Sequence, residues 1–273
     1  MTDNIYTLIN EIWEEIQNVV NFESLTYLKM YFHAYSSKSH LKNITEDLEL
    51  LRCFSPPPKD VLDFGCGIGI QARVLASYGY CVHGLETYVD KSVEEFFKGQ
   101  NEKVEAYLGS RESSIERVWQ IIKKKSNIEF QFYDGKHIPY KPESFDLVLA
   151  YAVLEHIPKN EVSGIIKELN RVLKPGGMFF IFQLPQKTSY TEFIARKLKL
   201  QAHEQLWDLK LIEQLLQQNH FKIIYSEKKD MIIHQPYKLI NFVFPILNLI
   251  DTILLHTPLS YFAHHLTVVA QKL

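Results

Sequence analysis

Apolar residues recur at helical spacing from the start of the chain. Ile5, Leu8, Ile9, Ile12, Ile16, Val19 and Val20 share a face, and "NITEDLELLRCF" repeats the pattern. Residues 1–52 therefore read as helical, until the prolines of "SPPPK", Ser55–Lys59, halt the pattern and mark a boundary. Beyond it the period shortens. "KDVLDFG", "CVHGLE", "IEFQFYD", "FDLVLA", "GMFFIFQLP", "FKIIYSE" and "LTVVAQKL" read as strands separated by amphipathic stretches. In "EVSGIIKELNRVL", Val162, Ile165, Ile166, Leu169, Val172 and Leu173 line one face before "KPGG" ends the helix. This alternation predicts an α/β fold with a Rossmann-like, doubly wound, seven-stranded and mostly parallel sheet. The expected organisation is an N-terminal helical lid over 1–55 and a main domain over 56–273.

Three stretches exceed what the alternation needs: the charged, helix-patterned 98–126, then 186–205, and an apolar insert at about 235–263. Such additions are expected to form lids, substrate walls or oligomer contacts. The apolar insert holds "LINFVFPILNLIDTILL", which is short for a membrane span and is interrupted by Asn241, Pro245, Asn248 and Asp251. On a helix, Asn241, Asn248 and Thr252 form one narrow polar stripe in an otherwise apolar surface. That surface suits packing on the core, a homodimer face, or a shallow peripheral membrane contact serving a lipid-linked acceptor.

The 273 residues are 46% hydrophobic and 23% charged with a formal net charge of −2, which excludes a polybasic nucleic-acid binder. The three cysteines give neither a disulfide framework nor metal-type pairs, and the acidic N-terminal stretch has no signal-peptide pattern. The expectation is a cytoplasmic protein. His234, His256, His264 and His265 lack ligand-like spacing, so no metal is expected.

The chemistry concentrates in "VLDFGCGIGIQA", Val61–Ala72, a strand that runs through Gly65, Gly67 and Gly69 into a helix. Glycines let a ligand approach the backbone, and the first amides of the helix are free to donate. The third glycine comes one residue too early for the dinucleotide fingerprint, with Ile70 in its place. Asp63, at the strand end, would repel a pyrophosphate but suits a ligand with an amino group or positive charge, such as S-adenosylmethionine. Glu86 ends the next strand, about twenty residues on, where a carboxylate grips ribose hydroxyls.

These features resemble the class I S-adenosylmethionine-dependent methyltransferases. "VLDFGCGIG" is similar to their first motif and Glu86 to their second-strand acid. "FYDGKHIPYKPESFDLVLAYAVLEHIP" and "ELNRVLKPGGMFFI" resemble their later strand blocks. The likeness implies that Asp63 and the backbone at Gly65, Cys66 and Gly67 hold the cofactor's methionine part. It implies that Glu86 binds the ribose, that Asp134 accepts from the adenine amino group beside Gly135, and that Ala150 and Tyr151 lie near the methyl. Two departures stand out: the long interval between Glu86 and Asp134, and Ile70 after the third glycine.

Methyl transfer needs alignment and, for a hydroxyl acceptor, a base. His156 in "VLEHIP" and His203 in "QAHEQLWDL" are the catalytic candidates. Tyr31, His33 and Tyr35 would reach the site only if the N-terminal helices fold over it, and Glu155 reads as a solvated helix residue. The Cys66 thiol is not a nucleophile, because the loop's backbone faces the ligand. "AYAV" lacks the signature of enzymes that methylate bases, so nucleic acid is not expected as a partner. The expected function is methylation of a small molecule, an O-methylation of a sugar or lipid-linked metabolite. C-methylation of a quinone or other apolar acceptor, a non-catalytic scaffold and a nucleotide-binding oxidoreductase are the alternatives.

Overall fold

The computed structural model describes residues 2–19, 28–29, 32–88, 102–199, 203, 205–232 and 238–273. Tyr31 and the first residues of the stretches at 98–126 and 235–263 lie outside the described residues.

The apolar runs form the strands the pattern predicts. They are β1 (Asp60–Phe64), β2 (Cys81–Thr87), β3 (Ile128–Tyr133), β4 (Phe145–Tyr151), β5 (Leu173–Pro185), β6 (Phe221–Lys229) and β7 (His265–Lys272). They build one sheet in the order β3-β2-β1-β4-β5-β7-β6. β1 to β5 pair in parallel, and β7 runs antiparallel to both β5 and β6. Parallel strands covered on both faces must be apolar throughout, which is why β1 and β4 read as continuous hydrophobic runs.

One face is covered by α1 (Thr2–Val19), α2 (Lys38–Phe54), α3 (Ile70–Ser77) and α4 (Glu102–Lys125), and the other by α5 (Lys159–Val172) and α7 (Leu209–Gln218). Ile5, Ile9, Ile12 and Ile16 of α1 are buried in the same cluster as Val61, Leu147 and Phe180. Each such side chain contributes roughly 1.5–3 kcal/mol when fully buried, so α1 is anchored as a layer of the core.

The charged stretch at 98–126 differs from its expectation as a surplus addition. Its described part is α4, the crossover from β2 to its parallel neighbour β3, a connection that parallel pairing requires. Ile115, Val118, Trp119, Ile121 and Ile122 face the sheet and the charges face water.

Two helices complete the C-terminal part, α6 (Tyr190–Lys197) and α8 (Lys238–Leu255). α8 turns Asp251 inward, buried and accepting from the Ile232 N–H at 2.7 Å, while Asn241 of the expected polar stripe accepts from the Lys38 N–H and Thr252 of that stripe is exposed. Its apolar side faces solvent, with Phe242 80% and Ile246, Leu249 and Ile253 each more than half exposed. Packing of that apolar side on the core, one of the expectations above, is not what the fold shows. None of the described helices is long and apolar enough to cross a membrane.

Candidate active site

At the carboxyl ends of β1, β2 and β4 the chain encloses a cavity of about 610 Å³, the place where open α/β sheets bind ligands. The glycine loop forms one wall. Gly65, Gly67 and Gly69 take φ values of +71°, +51° and +87°, the left-handed region that disfavours side chains. A Cβ on Gly65 would stand 2.6 Å from Val153 Cγ2, whereas one on Gly67 would meet nothing within 4 Å. The first glycine is needed for packing and the second leaves space.

Asp63 enters the cavity from the end of β1. It is 1% exposed, and its Oδ2 has no hydrogen-bond partner among the described residues. Burial, with the Glu86 charge adding to it, pushes the Asp63 carboxyl up to about 7, opposed by the Ala72 N–H that donates to it. An orphaned buried carboxylate oxygen is costly, and an ammonium placed there would satisfy it. Glu86 holds the loop from β2. Its Oε2 accepts from the Gly67 N–H at 2.6 Å and its Oε1 from the Thr87 N–H at 2.9 Å.

Asp134 and Gly135 line the cavity beyond β3. The Asp134 carboxylate closes a turn, accepting from the backbone N–H groups of His137 at 2.7 Å and Lys136 at 2.8 Å. Those bonds hold it down to about 2. Cys66 and Tyr151 also line the cavity. Ala150 does not: alternation along β4 turns its methyl into the opposite core cluster.

The two candidate histidines part company. His156 lines the cavity from a single 3-10 turn, Leu154–His156, after β4. His203 lies outside the lining, its ring centroid 6.5 Å from that of His156, with its Nδ1 2.7 Å from Glu192 Oε1. Burial alone would lower the His203 imidazole, but the Glu192 bond and the Glu155 charge outweigh it and raise it. The expectation for Glu155 is overturned. The turn points it inward, it is 4% exposed, and burial pushes its carboxyl up to about 7.

Several lining residues escaped the sequence reading. His40 reaches the cavity from the N-terminal region and Gln71 from α3, beside Tyr35, which the sequence named as reaching the site if the N-terminal helices fold over it. The His40 ring packs edge-on between Tyr35 at 4.5 Å and Tyr151 at 6.0 Å. The His40 Nε2 and the Tyr151 hydroxyl are buried without hydrogen-bond partners among the described residues, and burial drops the His40 imidazole to about 4. A lone histidine in the first turn of an amphipathic helix carries no signal that it will face a ligand.

Residues 62–181 match a family described as "Methyltransferase domain". Over this stretch, less than half of its length, the chain is similar to methyltransferase domains. Among curated relatives of this domain, a sterol 24-C-methyltransferase from Clavispora lusitaniae is 25% identical over 197 residues, covering 70% of this chain and 44% of the relative. A ubiquinone biosynthesis O-methyltransferase from Pseudomonas fluorescens is 30% identical over 123 residues, covering 45% and 43%. The matches thus span less than half the length of these relatives. A solved SAM-dependent methyltransferase structure from Methanosarcina mazei superposes with TM-score 0.54 at 19% identity, covering 82% of this chain and 97% of that one. It shares the methyltransferase fold.

Proposed function

We propose that the protein transfers a methyl group from S-adenosylmethionine to a small, apolar or lipid-linked acceptor, at a hydroxyl oxygen. The observation that carries the cofactor is the buried, unpartnered Asp63 Oδ2 beside Gly65 and Gly67. An oxidoreductase holding a pyrophosphate there would set two anions against each other. Asp63 would pair the amino-acid ammonium, the loop's backbone would receive the carboxylate, and Glu86 would take the ribose while keeping its bond to Gly67. Asp134 would meet the adenine edge with the part of its carboxylate that the turn leaves open. The bound cofactor supplies an electrophilic methyl; the chain aligns the acceptor and excludes water. His156 is the base candidate at the cavity, with Glu155 Oε1 3.9 Å from its Nε2. Calorimetry with S-adenosylhomocysteine tests the cofactor. Binding is expected for wild type and lost in Asp63→Ala, and binding of a nicotinamide dinucleotide instead would overturn the reading.

The acceptor class rests on the outward face of α8. Phe242, Ile246, Leu249 and Ile253 fall on one stripe, continued by exposed Leu259, Tyr261 and Phe262. The carbonyl of Tyr261 accepts from Thr188 Oγ1, just beyond β5. The apolar surface therefore adjoins the sheet edge that carries the cavity. An interfacial helix with this geometry docks peripherally on lipid, and the relatives' names include a sterol and ubiquinone, both lipids. Those names also include transfer to carbon, so C-methylation of an apolar acceptor is the second reading. The protein is expected to float with liposomes, and Phe242→Asp with Leu249→Asp to abolish flotation. Concentration-dependent dimers without flotation would assign the face to a second copy.

A further inference from the structure

We propose that Glu192, His203 and His264 bind one divalent transition-metal ion of the zinc class. Three separate segments supply them: Glu192 from the first turn of α6, His203 from the loop after it, and His264 immediately before β7. Among the described residues, one ligand atom from each lies within 4.8 Å of the others. A carboxylate with two imidazoles is a donor set suited to zinc and its neighbours, and three protein ligands leave a position for water.

The surroundings hold each ligand in place. Glu192 is 4% exposed, and its Oε2 accepts from the His203 N–H at 3.1 Å. Thr191 Oγ1 at 2.8 Å and Ser189 Oγ at 3.0 Å hold the His264 Nδ1, the kind of outer contact that fixes a ligating imidazole.

An independent feature points to a cation. Glu155 is a second buried carboxylate whose Oε2 has no hydrogen-bond partner among the described residues, and its Oε1 lies 3.9 Å from the Nε2 of His156, the ring next to His203. On binding, the ion takes the place of the proton shared between His203 Nδ1 and Glu192 Oε1, and that proton leaves to solvent. The ion would tie α6 and its loop to β7, one histidine away from the cavity through His156.

The test is metal titration of the full chain after dialysis against a chelator, with zinc followed by calorimetry and cobalt by its visible d–d absorption. One ion per chain is expected, with a rise in Tm. His203→Gln and His264→Ala should each weaken zinc at least about tenfold, while S-adenosylhomocysteine binding persists. His203→Gln, at a part-exposed position, guards against loss of fold in the other variant, checked by circular dichroism. The absence of stoichiometric binding, or binding that survives both substitutions, would overturn the site. Because the readout is the metal itself, it stands or falls apart from methyl transfer.

Discussion

The Trp119 indole Nε1 donates a hydrogen bond of 3.0 Å to the Gly67 carbonyl, from a helix 52 residues further along the chain. The same ring stacks on Phe130 at 5.0 Å with an interplanar angle of 6°. The crossover helix α4 therefore grips the outer side of the glycine loop while Glu86 grips its inner side. Trp119→Phe keeps most of the stack and removes the bond. The expected result is a loss of about 1 kcal/mol of cofactor affinity, roughly fivefold, measured by calorimetry, with a smaller change in Tm.

Two glycines should respond in opposite ways. Gly65→Ala forces a Cβ against Val153 Cγ2 at 2.6 Å in left-handed backbone, so it is expected to cost roughly 2–4 kcal/mol of stability. Gly67→Ala has open space and carries only the backbone strain, about 1 kcal/mol. Its methyl adjoins the cavity, and it should lose ligand affinity out of proportion to stability. Urea unfolding and cofactor titration of both variants separate the effects.

Asp63 should make cofactor binding pH-dependent near neutrality. Its carboxyl titrates at about 7 in the ligand-free fold, and pairing with an ammonium needs the charged form. Affinity should therefore fall by up to about tenfold per pH unit below 7. The stability sign is opposite. A carboxyl raised from 3.8 makes the fold bind more protons than the unfolded chain between pH 4 and 7, so ligand-free stability declines across that window and stays low above it. At pH 8, Asp63→Asn should raise the ligand-free Tm, by roughly 1–2 kcal/mol in stability, while abolishing binding. Scanning calorimetry with and without cofactor checks both.

Tyr151 offers a separation of fold from acceptor binding. Its hydroxyl is buried without a hydrogen-bond partner among the described residues, so Tyr151→Phe removes an unsatisfied group. The ligand-free protein should become more stable by about 1 kcal/mol. If the hydroxyl meets the acceptor, KM for that acceptor should rise while cofactor affinity stays level. Steady-state kinetics with the identified acceptor would show it.

The strands were legible because parallel strands buried on two faces are apolar along most of their length, as "VLDF", "FDLVLA" and "MFFIF" are apart from Asp63 and Asp146. The glycine loop was legible because left-handed backbone and close ligand approach both demand residues without side chains, and Asp63 beside it set the charge a ligand must carry. His40 was not legible, since nothing in a linear pattern tells which side of a covering helix overhangs a cavity. Glu155 was misplaced because a single 3-10 turn reverses the direction that helical periodicity would assign.

By itself, then, the sequence determined the sheet, the glycine loop and the carboxylate beside it, all of which follow from local period and local sterics. Tertiary structure decided what depends on packing between distant segments. It brought Glu192, His203 and His264 together from three elements. It also turned Asp251 of α8 inward, against the Ile232 N–H, and so left Phe242 and Leu249, together with Thr252, facing water. A buried carboxylate requires a donor, and placing Asp251 against the Ile232 N–H set which face of the helix the rest of the molecule left uncovered.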